Sequence, residues 1–295
     1  MRILLIGKNG QLGWELERAL ATLGPVRAVD LPEIDLAQPG TLTPLVREMH
    51  PDLIVNAAAY TAVDRAESEE DLARRVNGIA PGILAEEAAR LGAAFIHCST
   101  DYVFDGSKTT PYTEADAPHP LNAYGRTKLA GERAVEAAGG AYLILRTSWV
   151  YSLRGSGFVS KVMSWLRMQD EVRVAEDEVS SPTWARALAQ ATAQILAAAG
   201  HLVVPRLKER RGVYHLAGAG AASRLEWARE IQAWDPRPAE HRALEILPAK
   251  RADFPTAAAR PAYSVLACEL AEETWGVRLP PWREALRLAM GERER

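Results

Sequence analysis

The sequence predicts an α/β protein built on a doubly wound parallel sheet, with a smaller lobe in the C-terminal half. Short apolar runs alternate with segments of helical periodicity through the first half of the chain. These runs are apolar on both faces, which is typical of buried parallel strands. The length of 295 residues suits one large domain with a second, smaller lobe.

Five strand–helix alternations are predicted in the first half. The first strand, residues 2–7, is apolar throughout, and the helix at 12–24 carries its apolar residues on one side. The other predicted elements follow in chain order: strand 25–30, helix 41–50, strand 51–60, helix 71–92, strand 93–101, helix 127–139 and strand 141–151. Strands that alternate with crossover helices form a parallel sheet with helices on both faces.

The second half of the chain is less regular. Its predicted elements are helix 158–169, strand 171–177, helix 183–200, strand 212–218 and helix 281–290. The charged run at 206–211 is predicted to be a solvated loop. We expect residues 1–150 with 183–218 to form the sheet domain. Residues 151–182 with 219–295 are expected to form the smaller lobe.

Composition excludes several classes of function. Apolar residues make up 48% of the chain and charged residues 25%, which is ordinary for a soluble globular protein. The net charge of −3 gives no electrostatic reason to expect nucleic acid or an acidic membrane as a partner. Two distant cysteines, Cys98 and Cys268, form neither a disulfide framework nor a metal-binding spacing. With no signal peptide or membrane span expected, the sequence predicts a cytoplasmic protein.

Three glycines follow the first predicted strand and open the first predicted helix. Gly7, Gly10 and Gly13 form a G-x-x-G-x-x-G pattern, and Asp30 ends the next strand. A dinucleotide pyrophosphate needs backbone N–H groups, a close backbone approach and the positive end of a helix dipole. A carboxylate at position 30 can accept a hydrogen bond from a ribose hydroxyl. A plain turn and a helix or turn cap are the alternatives, but the strand–turn–helix context favours a nucleotide cofactor.

The sequence does not choose between NADH and NADPH as that cofactor. The carboxylate of Asp30 opposes a 2′-phosphate and so favours NADH. Lys8 and Arg27 lie near enough in sequence to offset this preference. Both cofactors are therefore retained.

Small and hydroxyl side chains end two later strands. Ala57 and Ala58 follow the third strand, and Ser99, Thr100 and Asp101 end the fourth. Ligands of open α/β sheets lie at the carboxyl ends of the strands, where small side chains admit a flat cofactor and a hydroxyl can bind a substrate carbonyl. The alternatives are tight strand–helix packing for the alanines and a turn or helix cap for the hydroxyls.

Tyr124 and Lys128 lie four residues apart in a predicted helix. They therefore share one helix face. A lysine ammonium near the phenol favours the phenolate, so we expect Lys128 to lower the pKa of Tyr124 from its ordinary value near 10. Tyr124 would then exchange a proton near neutral pH. The alternative is a half-exposed aromatic beside a solvated lysine.

These motifs together resemble the extended short-chain dehydrogenase/reductases, whose dinucleotide-binding domain is a Rossmann-type sheet. Within that group the chain is similar to the dTDP-4-dehydrorhamnose reductases. The similar blocks are GKNGQLGWEL, VNAAAYTAVDRAE, STDYVFDG, PLNAYGRTKLAGE and RTSWVY, which run over residues 7–151. The rest of the chain resembles the family more loosely, through SSPTWARALA and FPTAAARPAYS.

The resemblance implies reduction of the C4 ketone of a dTDP-4-dehydro sugar, with NADPH or NADH, in a substrate-binding lobe beside the sheet. The implied catalytic residues are Thr100, Tyr124 and Lys128. The implied cofactor contacts are Gly7, Asn9, Gly10, Gln11, Leu12, Gly13, Asp30, Asp35, Leu36, Ala57, Ala58, Tyr60, Tyr124 and Lys128, with Asp35 and Leu36 over the adenine. The implied substrate contacts are Thr100, Asp101, Tyr124, Trp149 and Arg260.

The chain departs from the family in two places. A late segment with two arginines in the family reads Ala258-Ala259-Arg260-Pro261 here, which leaves Arg260 as the remaining candidate. Some relatives dimerise through a magnesium ion held by glutamates. Glu15 occupies a plausible position, but no clear second acidic pair follows, so the sequence does not support the metal and leaves the homodimer open.

Two other functions remain open from the sequence. A regulatory nucleotide-binding subunit, like that of methionine adenosyltransferase, has the same fold but does not need turnover. Another nucleotide-sugar epimerase or dehydratase is the second alternative. Dehydratases carry an added Asp-Glu pair after the catalytic hydroxyl, whereas here Asp101 and Tyr102 follow Thr100. The complete Thr-Tyr-Lys set favours the reductase.

Overall fold

The computed structural model describes residues 1–291 and is built around a six-stranded parallel sheet. Three two-stranded sheets accompany it in this part of the chain. The strands are β1 (Ile3–Ile6), β2 (Val26–Val29), β3 (Leu53–Asn56), β4 (Ala94–Thr100), β5 (Ala141–Thr147), β6 (Val150–Tyr151), β7 (Val172–Ala175), β8 (Val179–Ser180), β9 (Thr183–Trp184), β10 (Gly212–His215), β11 (Ala222–Ser223) and β12 (Ile246–Ala249).

The central sheet has the strand order β10–β5–β4–β3–β1–β2, and all neighbours are parallel. After β1 the chain places β2 on one side, then crosses back to place β3 on the other. The strand order therefore reverses between β1 and β3, which is where open α/β sheets bind their ligands. The predicted doubly wound α/β fold is confirmed.

Helices cover both faces of this sheet. The helices of the described residues, those of the sheet domain and of the C-terminal lobe together, are α1 (Gln11–Leu20), α2 (Leu42–Met49), α3 (Val63–Ala66), α4 (Glu70–Arg74), α5 (Ala80–Leu91), α6 (Ala123–Ala138), α7 (Phe158–Met168), α8 (Ala185–Ala199), α9 (Val203–Glu209), α10 (Arg224–Ala233), α11 (Glu269–Trp275) and α12 (Trp282–Gly291). Successive residues of β1 point to opposite faces, so Ile3 and Leu5 pack with α1 and α8, whereas Leu4 and Ile6 pack with α2 and α5.

A π-helical turn, Arg75–Ile79, interrupts the predicted helix between α4 and α5. Its central Asn77 is buried, donates from Nδ2 to the Thr127 hydroxyl of α6 at 3.2 Å, and accepts from the Tyr60 N–H at 2.8 Å. A Cβ on Gly131 of α6 would lie 2.1 Å from the Asn77 carbonyl oxygen. The glycine thus lets α6 pack closely against the π-turn, which fixes the helix that carries Tyr124 and Lys128.

Residues from the second half form a lobe beside the carboxyl edge of the sheet. β7 pairs with β12 in parallel, β8 pairs with β11 antiparallel, and α7 packs against α10. Trp227 of α10 is buried at the centre of this lobe and contacts Trp149, Tyr151 and Phe158.

Two details differ from the sequence predictions. The prediction of a loop at 206–211 is wrong for residues 206–209, because α9 extends to Glu209 and buries Val203 and Leu207. The predicted strand 141–151 is divided into β5 and β6, since Trp149 adopts a left-handed φ of 41° that no strand allows.

One helical run in the described part of the chain, Ala185–Glu209, is long and apolar enough to cross a membrane by length and composition. Half of its most apolar window is buried inside the protein. Its first helix, α8, packs against α1 on the sheet. Burial of this kind is typical of core helices, which pass the same length and composition test.

Candidate active site

A cavity of about 780 Å³ lies at the carboxyl ends of β1, β3, β4 and β5. It begins at the strand-order reversal and extends towards the C-terminal lobe. The sequence-predicted residues that line it are Gly7, Asn9, Gly10, Gln11, Leu12, Asp30, Ala57, Ala58, Thr100, Asp101, Tyr124, Lys128 and Trp149. Residues chosen from six separate segments of the sequence therefore converge on one cavity.

Each of the three glycines in the loop after β1 is favoured over a larger residue for a different structural reason. Gly7 has a φ of +97°, and a Cβ there would lie 2.7 Å from the Ala58 nitrogen. A Cβ on Gly13 would lie 1.9 Å from the Gly7 carbonyl oxygen, so this glycine allows α1 to start against the strand end. A Cβ on Gly10 would meet only the Gly7 oxygen, at 3.4 Å. Gly10 is thus the glycine that keeps the cavity itself open.

The start of α1 fits an anionic ligand. Gly10 is its N-cap, no side chain caps the helix there, and its first turn holds no acidic residue. The free N–H groups and the helix dipole consequently face the cavity without a competing charge. Asp30 lies beside this loop, where its carboxylate accepts the Asn9 and Leu31 N–H groups at 3.0 and 2.8 Å. The arrangement suits a dinucleotide, with its pyrophosphate at Gly10 and a ribose at Asp30.

Four predicted cofactor residues do not line the cavity. Gly13 lies beneath the loop, and Leu36 is buried in the core beside α2. The Asp35 carboxylate is engaged in its own turn, where it accepts the Ala37 N–H at 2.9 Å. The Tyr60 hydroxyl donates to Glu69. Asp35 and Leu36, expected over the adenine, are therefore placed in a local turn and in the core.

Thr100 and Tyr124 lie at one end of the cavity. Thr100 ends β4, and Tyr124 lies in the first turn of α6, whose N-cap Asn122 accepts the Gly125 N–H at 2.8 Å. Burial raises the pKa of Tyr124 to about 12, while the hydrogen bond from Thr100 opposes that rise. Tyr124 is therefore protonated at neutral pH, which is the state that a proton donor requires.

Lys128 is buried at the back of this end. Its Nζ donates to the Cys98 carbonyl oxygen at 2.6 Å and lies 3.2 Å from His97 Nε2. Burial lowers the pKa of Lys128 to about 8. The expected lowering of the Tyr124 pKa by Lys128 is wrong in this structure, because burial dominates and the ammonium is directed towards β4 rather than the phenol.

Asp101 is buried among hydroxyl groups. Its carboxylate accepts Ser264 at 2.5 Å, Ser180 at 3.1 Å and Thr100 at 3.1 Å. Burial raises the pKa of Asp101, and these hydrogen bonds oppose the rise. The carboxylate thus connects the hydroxyl of Thr100 to residues of the C-terminal lobe.

Trp149 forms the wall of the cavity on the side of the lobe. Its ring stacks with Trp227 at a centroid distance of 5.5 Å, and the Arg224 guanidinium lies 3.5 Å from its centroid. Arg224 also pairs with Glu178 at 3.1 Å. Trp149, which was expected to contact the apolar side of the sugar, therefore already has the Arg224 guanidinium against its ring.

A second cavity of about 170 Å³ adjoins this wall. Its lining includes Phe158, Trp165, Glu178, Arg224 and Phe254. Aromatic faces beside an arginine suit a planar ring that carries polar groups.

Sequence reasoning missed the loop at 152–157, which closes one side of the main cavity. Gln11 holds this loop by accepting the Ser152 N–H at 2.8 Å. Arg154 lines the cavity, and its guanidinium lies 3.2 Å from the centroid of the Trp14 ring. Only the glycines in the segment SLRGSG indicated a special backbone here.

Arg260 and Glu15 have partners outside the cavity. Arg260 pairs with Asp64 at 2.7 Å and ties the segment at 258–260 to α3. Glu15 pairs with Arg186 at 3.2 Å. Across residues 1–291, no cluster of three or more His, Cys, Asp and Glu side chains is placed to hold a metal ion.

A family model described as "RmlD substrate binding domain" matches residues 1–294 of the chain. The chain belongs to this RmlD family. It is 44% identical to a dTDP-4-dehydrorhamnose reductase of Burkholderia thailandensis, with 98% of each protein covered.

Two solved structures are similar to this chain over nearly the whole length of both proteins. A dTDP-4-dehydrorhamnose reductase of Clostridium acetobutylicum is 33% identical, with a TM-score of 0.91 and 100% of both chains covered. A dTDP-4-dehydrorhamnose reductase of Bacillus anthracis, solved in complex with NADP, is 32% identical with a TM-score of 0.86 over 99% of both chains. The similarity to these structures therefore covers both the central sheet and the C-terminal lobe.

Proposed function

We propose that this chain reduces the C4 ketone of dTDP-4-dehydro-L-rhamnose to dTDP-L-rhamnose with NADPH or NADH, the last step of dTDP-rhamnose biosynthesis. The observation that carries the proposal is the convergence of Thr100, Tyr124 and Lys128 on the cavity that the glycine loop opens. The relatives named dTDP-4-dehydrorhamnose reductase and the NADP complex of one of them support it.

Each residue at the reacting end has a chemical role in this proposal. The protonated phenol of Tyr124 donates to the sugar oxygen as negative charge develops there. The Thr100 hydroxyl has one hydrogen, which it donates to Asp101 in this structure and can redirect to the sugar oxygen or to the Tyr124 phenolate, whose formation its hydrogen bond favours. When bound, the reduced nicotinamide supplies the hydride to C4.

The other residues hold the two ligands in the same geometry. Gly10 and the N-terminus of α1 would receive the cofactor pyrophosphate, and Asp30 and Lys128 would receive its ribose hydroxyls. Trp149 would contact the sugar. The smaller cavity beside Arg224 and Phe158 is suited to the thymine end of the substrate.

Replacing Tyr124 with Phe tests the proton-donor role. We expect Tyr124→Phe to lower kcat by roughly 10²- to 10⁴-fold, because it removes a general acid and leaves the ring in place. The assay follows the absorbance of the reduced nicotinamide with dTDP-4-dehydrorhamnose. NADPH affinity, measured by fluorescence titration, should stay within about twofold of the wild-type value.

Tyr151→Phe is the matched control. The Tyr151 hydroxyl is buried without a hydrogen-bond partner in the described structure, so its loss should leave turnover nearly unchanged. Wild-type turnover by Tyr124→Phe would exclude the acid role. A wild-type protein that binds NADPH but reduces no 4-keto sugar would instead favour the regulatory subunit.

The finer predictions about organisation belong to the same proposal. We expect a homodimer in the cytoplasm, with neither nucleic acid nor membrane as a partner. We assign residues 1–150 and 183–218 to the dinucleotide-binding domain and residues 151–182 and 219–295 to the substrate lobe, of which 292–295 lie outside the described residues. The pairing of β10 with β5 supports assigning 212–215 to the sheet domain.

A further inference from the structure

A buried chain of polar side chains leads from β3 to Lys128. Asn56, His97 and Lys128 are each almost fully buried. Asn56 Nδ2 lies 3.3 Å from His97 Nδ1, and His97 Nε2 lies 3.2 Å from Lys128 Nζ. The proposed mechanism gives no role to Asn56 or His97.

The orientation of Asn56 fixes the direction of the first hydrogen bond. Its Oδ1 accepts the Ala58 N–H at 3.2 Å, so its NH₂ group is turned towards His97. An amide NH₂ can only donate, and His97 Nδ1 must therefore accept. A neutral imidazole carries one hydrogen, which leaves it on Nε2.

That tautomer has a consequence for Lys128. An Nε2–H group donates, and an ammonium has no lone pair with which to accept. The hydrogen bond between His97 and Lys128 thus forms only with the uncharged amine. The amine then directs one N–H to the Cys98 carbonyl, at 2.6 Å, and retains one N–H for the cavity.

The surroundings allow this uncharged state. Burial lowers the pKa of Lys128 to about 8, and burial together with the Lys128 charge lowers the pKa of His97 well below its ordinary value. The other titratable groups that act on Lys128 are Cys98, whose pKa burial raises to about 11, and Glu132. Glu132 is already held by Arg146 at 2.6 Å.

We propose that His97 is a positioning residue for Lys128, and that Asn56 fixes the histidine tautomer that donates to the lysine amine. Protonation of Lys128 must then break this chain or reverse it, with His97 moving its hydrogen to Nδ1 against the Asn56 amide. In the reductase function, on which the catalytic meaning of this inference rests, the chain aims a single N–H of Lys128 at the ribose beside Tyr124.

Nitrogen NMR of the wild-type protein tests the tautomer without substrate or turnover. The chain has six histidines, and long-range ¹H–¹⁵N correlations distinguish the two tautomers of each. We expect His97 to carry its hydrogen on Nε2 near pH 9, where Lys128 is largely uncharged. An Nδ1–H tautomer at that pH would overturn the proposal.

Asn56→Asp should reverse the chain. An aspartate accepts from both the Ala58 N–H and His97 Nδ1–H, so His97 Nε2 becomes an acceptor for the Lys128 ammonium. We expect the His97 signal to change to the Nδ1–H tautomer. The titration midpoint of Lys128, followed by ¹³Cε labelling of the six lysines, should rise by about one pH unit or more.

Two further variants keep this test decisive. Asn9→Asp adds the same charge at an exposed position of the cavity and should shift the Lys128 midpoint far less. His97→Gln should also raise the midpoint, because the Gln carbonyl can accept from the ammonium. Unchanged midpoints in both Asn56→Asp and His97→Gln would contradict the positioning role, whether or not the protein is a reductase.

Discussion

The glycine loop at one end of the cavity presents backbone N–H groups, whereas the opposite end is built from buried side chains that hydrogen bond to one another. At the loop, an added atom causes the damage, since a Cβ on Gly13 would lie 1.9 Å from a carbonyl oxygen. At the Thr100 end, a removed atom causes the damage, since each hydroxyl or carboxylate is the partner of the next. The two ends should therefore respond to opposite kinds of substitution.

The largest effect is expected from adding a methyl group to the loop. Gly13→Ala should destabilise the fold by about 3 kcal/mol, because neither the helix start nor the strand end can move freely. Urea denaturation measures this loss. Gly10→Ala is the matched control: it should fold normally but bind NADPH about tenfold more weakly, because its methyl group faces the cavity. If Gly13→Ala and Gly10→Ala were equally stable, the proposed difference between the packing role of Gly13 and the cavity role of Gly10 would be wrong.

Removing one hydroxyl tests the opposite end. Thr100→Val should lower kcat by roughly 10²-fold, because it removes the one hydroxyl hydrogen that can be donated to the substrate oxygen or to the Tyr124 phenolate. Steady-state kinetics and NADPH affinity separate this loss from a binding defect. Ser99→Ala, whose hydroxyl donates to Glu132 at 2.5 Å, should cost far less. A larger loss in Ser99→Ala would place the reacting oxygen elsewhere.

The lobe side of the cavity should respond more weakly. Arg224→Lys keeps the charge but loses the planar stack on Trp149, and we expect KM for the sugar nucleotide to rise about fivefold with little change in kcat. Arg283→Lys removes a similar stack on Trp282 away from the cavity and should leave KM unchanged. A fall in kcat alone would argue against a substrate-binding role for Arg224.

The smallest effect concerns Asp101 and pH. Because burial raises its pKa in the folded state, the native protein binds this proton more tightly than the unfolded chain does. Wild-type stability should therefore fall as pH rises from about 4 through the raised pKa. Asn cannot ionise, so Asp101→Asn should gain stability relative to wild type as the pH rises through that window. Denaturation curves at several pH values that shift in parallel would contradict this.

The sheet was predictable because its signal is local. Apolar runs and helical periodicity predicted all six strands of the central sheet, although the predictions 51–60, 141–151 and 212–218 extend well past the observed strand ends. The positions of the proposed catalytic residues were predictable, because Thr100 ends a recognisable strand and Tyr124 and Lys128 lie near a recognisable helix start. Their convergence on one cavity was expected because ligands of open parallel sheets bind at the carboxyl ends of the strands. No contact between these residues could be read from the sequence.

The remaining site features depend on contacts between distant segments. Arg154 reaches the cavity only because Gln11 holds its loop, across 141 residues of sequence from Ser152. The direction of Lys128 depends on His97 of the neighbouring strand, which no spacing within α6 reveals. The engagement of Asp35 in its own turn, where its carboxylate accepts the Ala37 N–H, is likewise a structural detail that its position in the motif does not reveal.

The π-turn at Arg75–Ile79 gives the helix one residue more than an α-helix of the same height would hold. A single deletion within this turn would therefore preserve a continuous helix. Because the extra residue is accommodated within one wider turn, the helical segments on either side would keep nearly the same relative orientation, and the change would be confined to the turn itself. Asn77 would turn away from Tyr60 and Thr127, and α6 would lose the surface that Gly131 fits. The number of residues in the π-turn between α4 and α5 therefore affects the packing of α6, the helix that carries Tyr124.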